Sequence, residues 1–316
     1  MRTRDRQVRL NIPCPGSMRA AAEGQGNDVA FMLVFGTMCV AILFAVVYPV
    51  YFVVIASLSN PALIATGEVW LWPKGVNFFG YEQIFNDDRI WTGYGNTLLY
   101  SAVGTALNLV VTLPAAYALS RPEFRPRRVL MLFFVFTLFF NGGLIPTYLL
   151  YRDLGLLDNW LVFILPPAVN VYNLIIARAF FEHSLPKELF EAAMIDGVSY
   201  LQYFAKVALP LSKAIISVIG LYYLVQHWND FFTGLVFVRD NSLQPLQIVL
   251  RDILLSNQAF AGGAGTGGGS GVGYDQQYAD QIKYGVIVVS SLPVLVLYPF
   301  LQRYFEKGVL IGAVKG

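Results

Sequence analysis

Apolar residues fall along the chain in long, nearly unbroken runs rather than at strand or surface-helix spacing. The first extends from about Val29 to Ser59, and five more follow at about Thr97–Ser120, Val129–Tyr151, Trp160–Phe181, Leu211–Phe237 and Ile282–Tyr304. A helix crossing a bilayer needs about 20 apolar residues. The pattern therefore predicts an all-α polytopic membrane protein with six transmembrane helices. The first run exceeds the roughly 7–15-residue core of a signal peptide, and no small-residue cleavage site follows it, so it is expected to be a retained first span. Spans three to five are interrupted by Asn141-Gly142-Gly143, Pro146, Pro166-Pro167, Asn170, Asn173 and the stretch from Gln226 to Asp230. Such interruptions are tolerated where neighbouring helices or a water-filled cavity satisfy the freed backbone groups. They point to a bundle with an interior path.

Composition agrees. Of 316 residues, 56% are hydrophobic and 13% charged, and mean hydropathy is +0.55. A soluble domain carries about 25% charge, so this chain has too little to cover a water-facing surface. Disorder, a secreted disulfide scaffold and a nucleic-acid binder are excluded. Cys14, expected in the N-terminal tail, and Cys39, inside an apolar run, would lie in different environments, so no disulfide is expected. His183 and His227 are too few for a histidine-rich metal site.

Basic residues set the expected orientation. With the N-terminus inside, sixteen lysines and arginines lie inside and six outside. Both termini are thus expected in the cytoplasm. The predicted organisation is a cytoplasmic tail over 1–28, a transmembrane domain over 29–306 and a cytoplasmic tail over 307–316. The main inside loop covers 184–210, and an outside loop covers 238–281 with a glycine-rich stretch at 261–273. That stretch lacks the lysine and following helix of a phosphate cradle and reads as a flexible loop, either a contact for an external protein or a passive tether.

No nucleophile elbow, zinc-protease motif, phosphate-binding loop or paired-cysteine motif occurs. The chain is expected to be no enzyme and to carry no cofactor or metal, so any ATP-driven step would belong to another chain.

The inside loop has strong local signals. Pro186 suits the first turn of a helix, where its missing N–H costs nothing. Gly197 suits the left-handed residue just past a helix end, and Ser199 with Gln202 fits a capping box that opens a second helix. The loop therefore reads as a helix, a glycine turn and another helix. Ala192, Ala193 and Met194 offer small or pliable groups, either to a groove on another protein or to the bilayer surface.

Glu191-Ala192-Ala193, then Gly197 after three residues, then Val207-x-Leu209-Pro210 after nine more, resembles the EAA loop of ABC importer permeases, with valine in place of the usual isoleucine. The stretches Phe140–Tyr148 and Trp228-Asn229-Asp230-Phe231 resemble the carbohydrate-uptake branch. Within it, the chain looks similar to permeases for larger or acidic oligosaccharides, such as the second permease subunit of the bacterial alginate importer. The resemblance implies the type I importer permease fold and the bacterial inner membrane. It also implies a heterodimer with a homologous permease, two ATPase subunits that hold ATP and Mg, a soluble binding protein and an oligosaccharide substrate. Glu191, Ala192, Ala193, Met194, Asp196 and Gly197 would then form the ATPase-coupling segment.

A substrate path is expected on span five. Tyr222, Gln226 and Asn229 share one helical face, and Tyr223, His227 and Asp230 form the adjacent stripe, with Trp228 between them. Aromatic planes beside amides and carboxylates suit the ring faces and hydroxyls of sugars. Asn141, Asn170 and Asn173 are further candidates. The competing reading is that these groups bond only to neighbouring helices. Rival functions are a secondary transporter, although Asp230 is the only carboxylate within a proposed span, and an ABC permease for another solute. An intramembrane enzyme would rest on His227 and Asp230 alone.

Overall fold

The computed structural model describes residues 15–262 and 281–293, together with 295, 296 and 299. The described residues are helical or irregular, with no strand among them. The glycine-rich stretch beyond residue 262 and the end of span six lie outside the described residues.

The chain divides into two compact units, one ending at Ile55 and one beginning at Ala56. The first unit is helical from Pro15, within a single helix, α1, over Pro15–Leu58. Helix therefore begins inside the segment expected to be a tail. Its part from Phe31 onward is long and apolar enough to cross a membrane. Side chains such as Phe31, Leu43 and Phe44 are exposed, as they must be to meet lipid.

The second unit opens with two short helices, α2 (Pro61–Ala65) and α3 (Phe79–Phe85). The central element is α4 (Asp88–Ser120), capped by Asp87, whose carboxylate accepts the Arg89 N–H. At about 1.5 Å per residue its 33 residues run to about 50 Å, longer than a bilayer core of about 30 Å. The apolar run at 97–120 marked only part of it. One face of α4 carries Gly93, Thr97, Ser101, Gly104, Asn108 and Thr112, all buried. Small residues at this spacing let helices approach closely in a membrane, where no hydrophobic force drives them together.

The third apolar run is interrupted. Helix α5 (Arg127–Phe139) and α6 (Leu144–Asp153) meet at 115°. Gly143 has φ +86, which only glycine adopts easily, and Pro146 sits in the first turn of α6, where no N–H is required. Span four is also broken, with 3-10 turns over Trp160–Phe163 and Pro166–Ala168 leading into α7 (Val171–His183) at 44°. The inside loop carries α8 (Lys187–Ile195) and α9 (Tyr200–Tyr203), then a π-helical stretch over Phe204–Ala208 and α10 (Leu209–Leu211). At Ser212 the chain bends by 82° into α11 (Lys213–Trp228). The run expected at Leu211–Phe237 is therefore not one helix, because Trp228 ends α11 and a separate α12 (Phe232–Phe237) follows.

Helix α13 (Leu246–Gly262) lies within the outside loop expected between spans five and six. Leu246, Val249, Leu250 and Ile253 are buried in a cluster with Ile90, Trp228, Val286 and Val289. The Leu246 N–H donates to Thr97 Oγ1 at 2.8 Å. A further helix, α14, covers 281–293 among the described residues. At the opposite end of α4 a second cluster joins Leu113, Tyr117 and Leu119 to α7, α8, α9 and α11 through Phe181, Phe190, Tyr203 and Ile219. Two helices among the described residues are each long and apolar enough to cross a membrane, and five spans result if each bent pair is one.

Candidate functional site

Of the two stripes expected on α11, Tyr223 and His227 are buried, whereas Asp230, expected with them, lies beyond the end of the helix and is only half-buried. Ile215, Ile219, Tyr223 and His227 recur every four residues and are buried. Tyr222, Gln226 and Asn229 are exposed on the neighbouring face.

The buried stripe is a polar lock. Tyr223, 0% exposed, accepts the Asn170 N–H at 3.0 Å and shares a 2.7 Å hydrogen bond with Thr112. His227 Nε2 lies 2.9 Å from Asn108 Oδ1, and Asn108 Nδ2 donates to the Pro167 carbonyl. Because a carbonyl only accepts, the amide orientation of Asn108 is fixed. Its Oδ1 then faces His227, so Nε2 carries the proton. Asn170 caps α7 through the N–H groups of Tyr172 and Asn173, and its Nδ2 donates to Gln226 at 3.3 Å. Together these bonds clamp the break at Pro166–Asn170 between α4 and α11. They satisfy the backbone groups that a broken span frees.

Beside the lock lies a cavity of about 410 Å³. Gln226, His227, Asn229, Asp230 and Thr233 supply polar groups, and Tyr151, Phe237, Val162, Pro166 and Pro167 supply apolar walls. Tyr151 and Phe237 have ring centroids 4.8 Å apart. Asp230 Oδ1 accepts the Thr233 N–H of α12 at 3.1 Å, and Asn229 Nδ2 donates back to the Val225 carbonyl at 2.9 Å. Amides, a carboxylate and aromatic faces thus converge at one end of α11. Of the residues expected on the path, Gln226, Asn229 and Asp230 line this cavity, and Tyr222 shares their face.

The others do different work. Tyr223 belongs to the lock. Trp228 is buried and donates from its indole N–H to the Ser290 carbonyl at 3.1 Å, which fastens α11 to α14. Asn173 is buried on α7. Asn141 accepts the Gly143 N–H at 2.9 Å in the turn between α5 and α6. Tyr151 and Phe237 were missed, because nothing in the sequence brings residues so far apart to one wall.

The coupling segment has the local structure its residues imply. Pro186 precedes α8 as its N-cap, one position earlier than the first turn. Gly197 has φ +74. Its N–H donates to Met194 O at 3.1 Å and the Val198 N–H to Ala193 O at 3.0 Å, the paired bonds of a left-handed helix end. Both bonds of the Ser199–Gln202 capping box are present. The faces differ from expectation, however. Ala193 and Met194 pack against the chain's own core, with Phe190. Glu188, Glu191, Ala192 and Ile195 are exposed at helical spacing, and Ile195 is 86% exposed. Asp196 is the exposed C-cap. Ile195 lies on this exposed face, three residues beyond Ala192 and four beyond Glu191.

Residues 90–311 match the family model of the binding-protein-dependent transport system inner membrane component. Protein LplC of Bacillus subtilis (strain 168) is 38% identical over 274 residues, covering 85% of this chain and 90% of that protein. The polygalacturonan/rhamnogalacturonan transport system permease protein YtcP of the same organism is 37% identical, covering 90% and 96%. The crystal structure of a bacterial ABC transporter involved in the import of the acidic polysaccharide alginate contains a chain with TM-score 0.77 and 34% identity. That match covers 88% of this chain and 98% of the other.

Proposed function

The chain belongs to the family of binding-protein-dependent transport system inner membrane components, and from that premise we propose that it forms one half of the path for an oligosaccharide, with α8 receiving the stroke of an ATPase. As a member of that family it is a multi-pass inner-membrane permease subunit of an ABC importer, not an enzyme. It works with a partner permease, ATPase and solute-binding components. The proposal extends to a heterodimer with a homologous permease, two ATPase subunits that hold ATP and Mg, and both termini in the cytoplasm.

The observation that carries the proposal is the cavity of about 410 Å³ at the Trp228 end of α11. Ring faces of a sugar suit Tyr151 and Phe237, and its hydroxyls suit Gln226, Asn229 and Asp230. The cavity sits at a broken span, where non-helical backbone is tolerated because it lines a polar space. Relatives named for polygalacturonan/rhamnogalacturonan and for alginate transport favour an acidic oligosaccharide. Among the described residues, no lysine or arginine lines this cavity. A uronate's charge would therefore be met by other parts of the assembly, and its rings and hydroxyls here.

The test is ATPase activity of the reconstituted complex with its cognate binding protein, measured against a panel of neutral and acidic oligosaccharides. Stimulation by uronate oligomers alone supports the acidic class, and stimulation by neutral oligomers alone replaces it. Stimulation by no sugar refutes the carbohydrate reading.

A further inference from the structure

Arg121 ends α4 in an unusual setting. Pro122 follows it and disfavours helical geometry in the preceding residue, so Arg121 leaves the helix with φ −82 and ψ 129. This turns its side chain back beneath the bundle, where it is only 9% exposed. The guanidinium carbon lies 4.5 Å from the centroid of Tyr117, 4.9 Å from that of Phe190 and 5.5 Å from that of Tyr203. No ion pair of Arg121 is present among the described residues, and its Nε and Nη2 meet no hydrogen-bond acceptor in good geometry there. A buried cation without a carboxylate is costly. Here three π faces and the negative end of the α4 dipole offset that cost.

The three rings come from three elements: Tyr117 from α4, Phe190 from α8 and Tyr203 from α9. Phe190 is the buried side chain of α8. A groove of about 450 Å³ runs beside the cage between the end of α4 and α9, so close packing does not continue there. We infer that Arg121, held between Tyr117 of α4 and Phe190 of α8, is a positioning residue that transmits displacement of α8 to α4. Helix α4 carries Thr112 and Asn108 of the lock around Asn170 and Pro167. Movement at the cage therefore reaches the broken span through one continuous helix. Lysine would keep a charge over the rings but lose the flat guanidinium that contacts several at once. The inference rests on the reading that α8 docks on an ATPase.

The test uses the complete importer in proteoliposomes with its binding protein. Arg121→Met removes the cation and keeps a long apolar side chain. Phe190→Leu removes the ring on α8 and keeps apolar bulk. Each is expected to leave assembly and basal ATPase intact while the ratio of stimulated to basal ATPase falls about tenfold, within the usual range of coupling between sites. The double variant should lose little more than either single one, because both break the same link. Arg121→Lys should recover part of the ratio, and Tyr203→Phe should be silent, because the ring is used and the hydroxyl is not. Additive losses, or a normal ratio in Phe190→Leu, overturn the inference. Should Arg121→Met fail to assemble, Phe190→Leu alone decides. A cysteine at Ile195 that forms no cross-link to the ATPase would instead refute the docking reading. A cross-link with normal coupling in both cage variants refutes this inference alone.

Discussion

The imidazole of His227 fills the space that a side chain on Gly104 would occupy: a β-carbon there would lie 2.5 Å from Nε2. The contact is possible because residue 104 has no side chain. It brings His227 to Asn108 one turn further along α4. Gly104→Ala should therefore push α4 and α11 apart and destabilise the protein by about 1–3 kcal/mol, as overpacking does. Thermal melting of the purified permease in detergent measures this. Adding His227→Ala should relieve the clash, so the double variant should be less destabilised than the sum of the two. Additive losses would show that the contact is not what glycine at 104 provides.

Tyr223 and Tyr222 are neighbours in opposite settings, one buried and one exposed. Tyr223→Phe removes the acceptor of the Asn170 N–H and the partner of Thr112, and should cost about 1 kcal/mol of stability. Tyr222 is 42% exposed. Tyr222→Ala and Asn229→Ala should leave the melting temperature unchanged and reduce uptake and sugar-stimulated ATPase. Loss of melting temperature with normal uptake in Tyr222→Ala would remove that face from the route.

The difference between these tyrosines marks where the sequence stops being informative. The spacing of Tyr222, Gln226 and Asn229 against Tyr223 and His227 showed two stripes. Which stripe meets α4 depends on the small face of α4 at Gly93, Thr97, Gly104 and Asn108. That face was readable from its near four-residue spacing, but only once α4 was known to extend back to Asp88. Local features were fully legible: Gly197 needs positive φ whatever surrounds it, and Ser199 caps through residues within one turn. Helix α13 was also readable, since Leu246, Val249, Leu250 and Ile253 follow helical spacing. The cavity wall formed by Tyr151 and Phe237 was not legible, because their meeting depends on two broken spans.

The sixteen-to-six distribution of basic residues makes a topological prediction. In a variant lacking Cys14 and Cys39, a cysteine at Val76 should react with an impermeant thiol reagent from outside intact cells. Val76 is exposed, unlike half-buried Asn77, whose carbonyl accepts from Gln281. A cysteine at exposed Glu123 should react only after the membrane is opened. External labelling at 123 would invert the proposed orientation.

The exposed face of α8 makes the sharpest prediction about coupling. Ala193 and Met194 face the chain's own core, so Ala193→Trp would disrupt the permease before it tested any docking. Ala192 and Ile195 are the clean probes. Ile195 is 86% exposed between Glu191 and the Asp196 cap, so a substitution there changes the surface of α8 and not its packing. Ile195→Glu and Ala192→Trp should block a partner groove by charge and by bulk. Neither alters a span or the Phe190 contact, so both proteins should reach the membrane and melt normally while transport and stimulated ATPase collapse. Gly197→Leu should also lose transport and stimulated ATPase, by another cause and with some loss of stability: a side chain at φ +74 costs about 1–2 kcal/mol locally, and relief of that strain would swing α8 away from the angle set by the Gly197 and Val198 bonds. Co-purification with a tagged ATPase separates loss of docking from loss of coupling. Ile195→Glu should lose the ATPase from the complex, whereas Gly197→Leu should retain some of it without stimulation. Normal transport by both Ile195→Glu and Ala192→Trp would show that this face of α8 meets no partner.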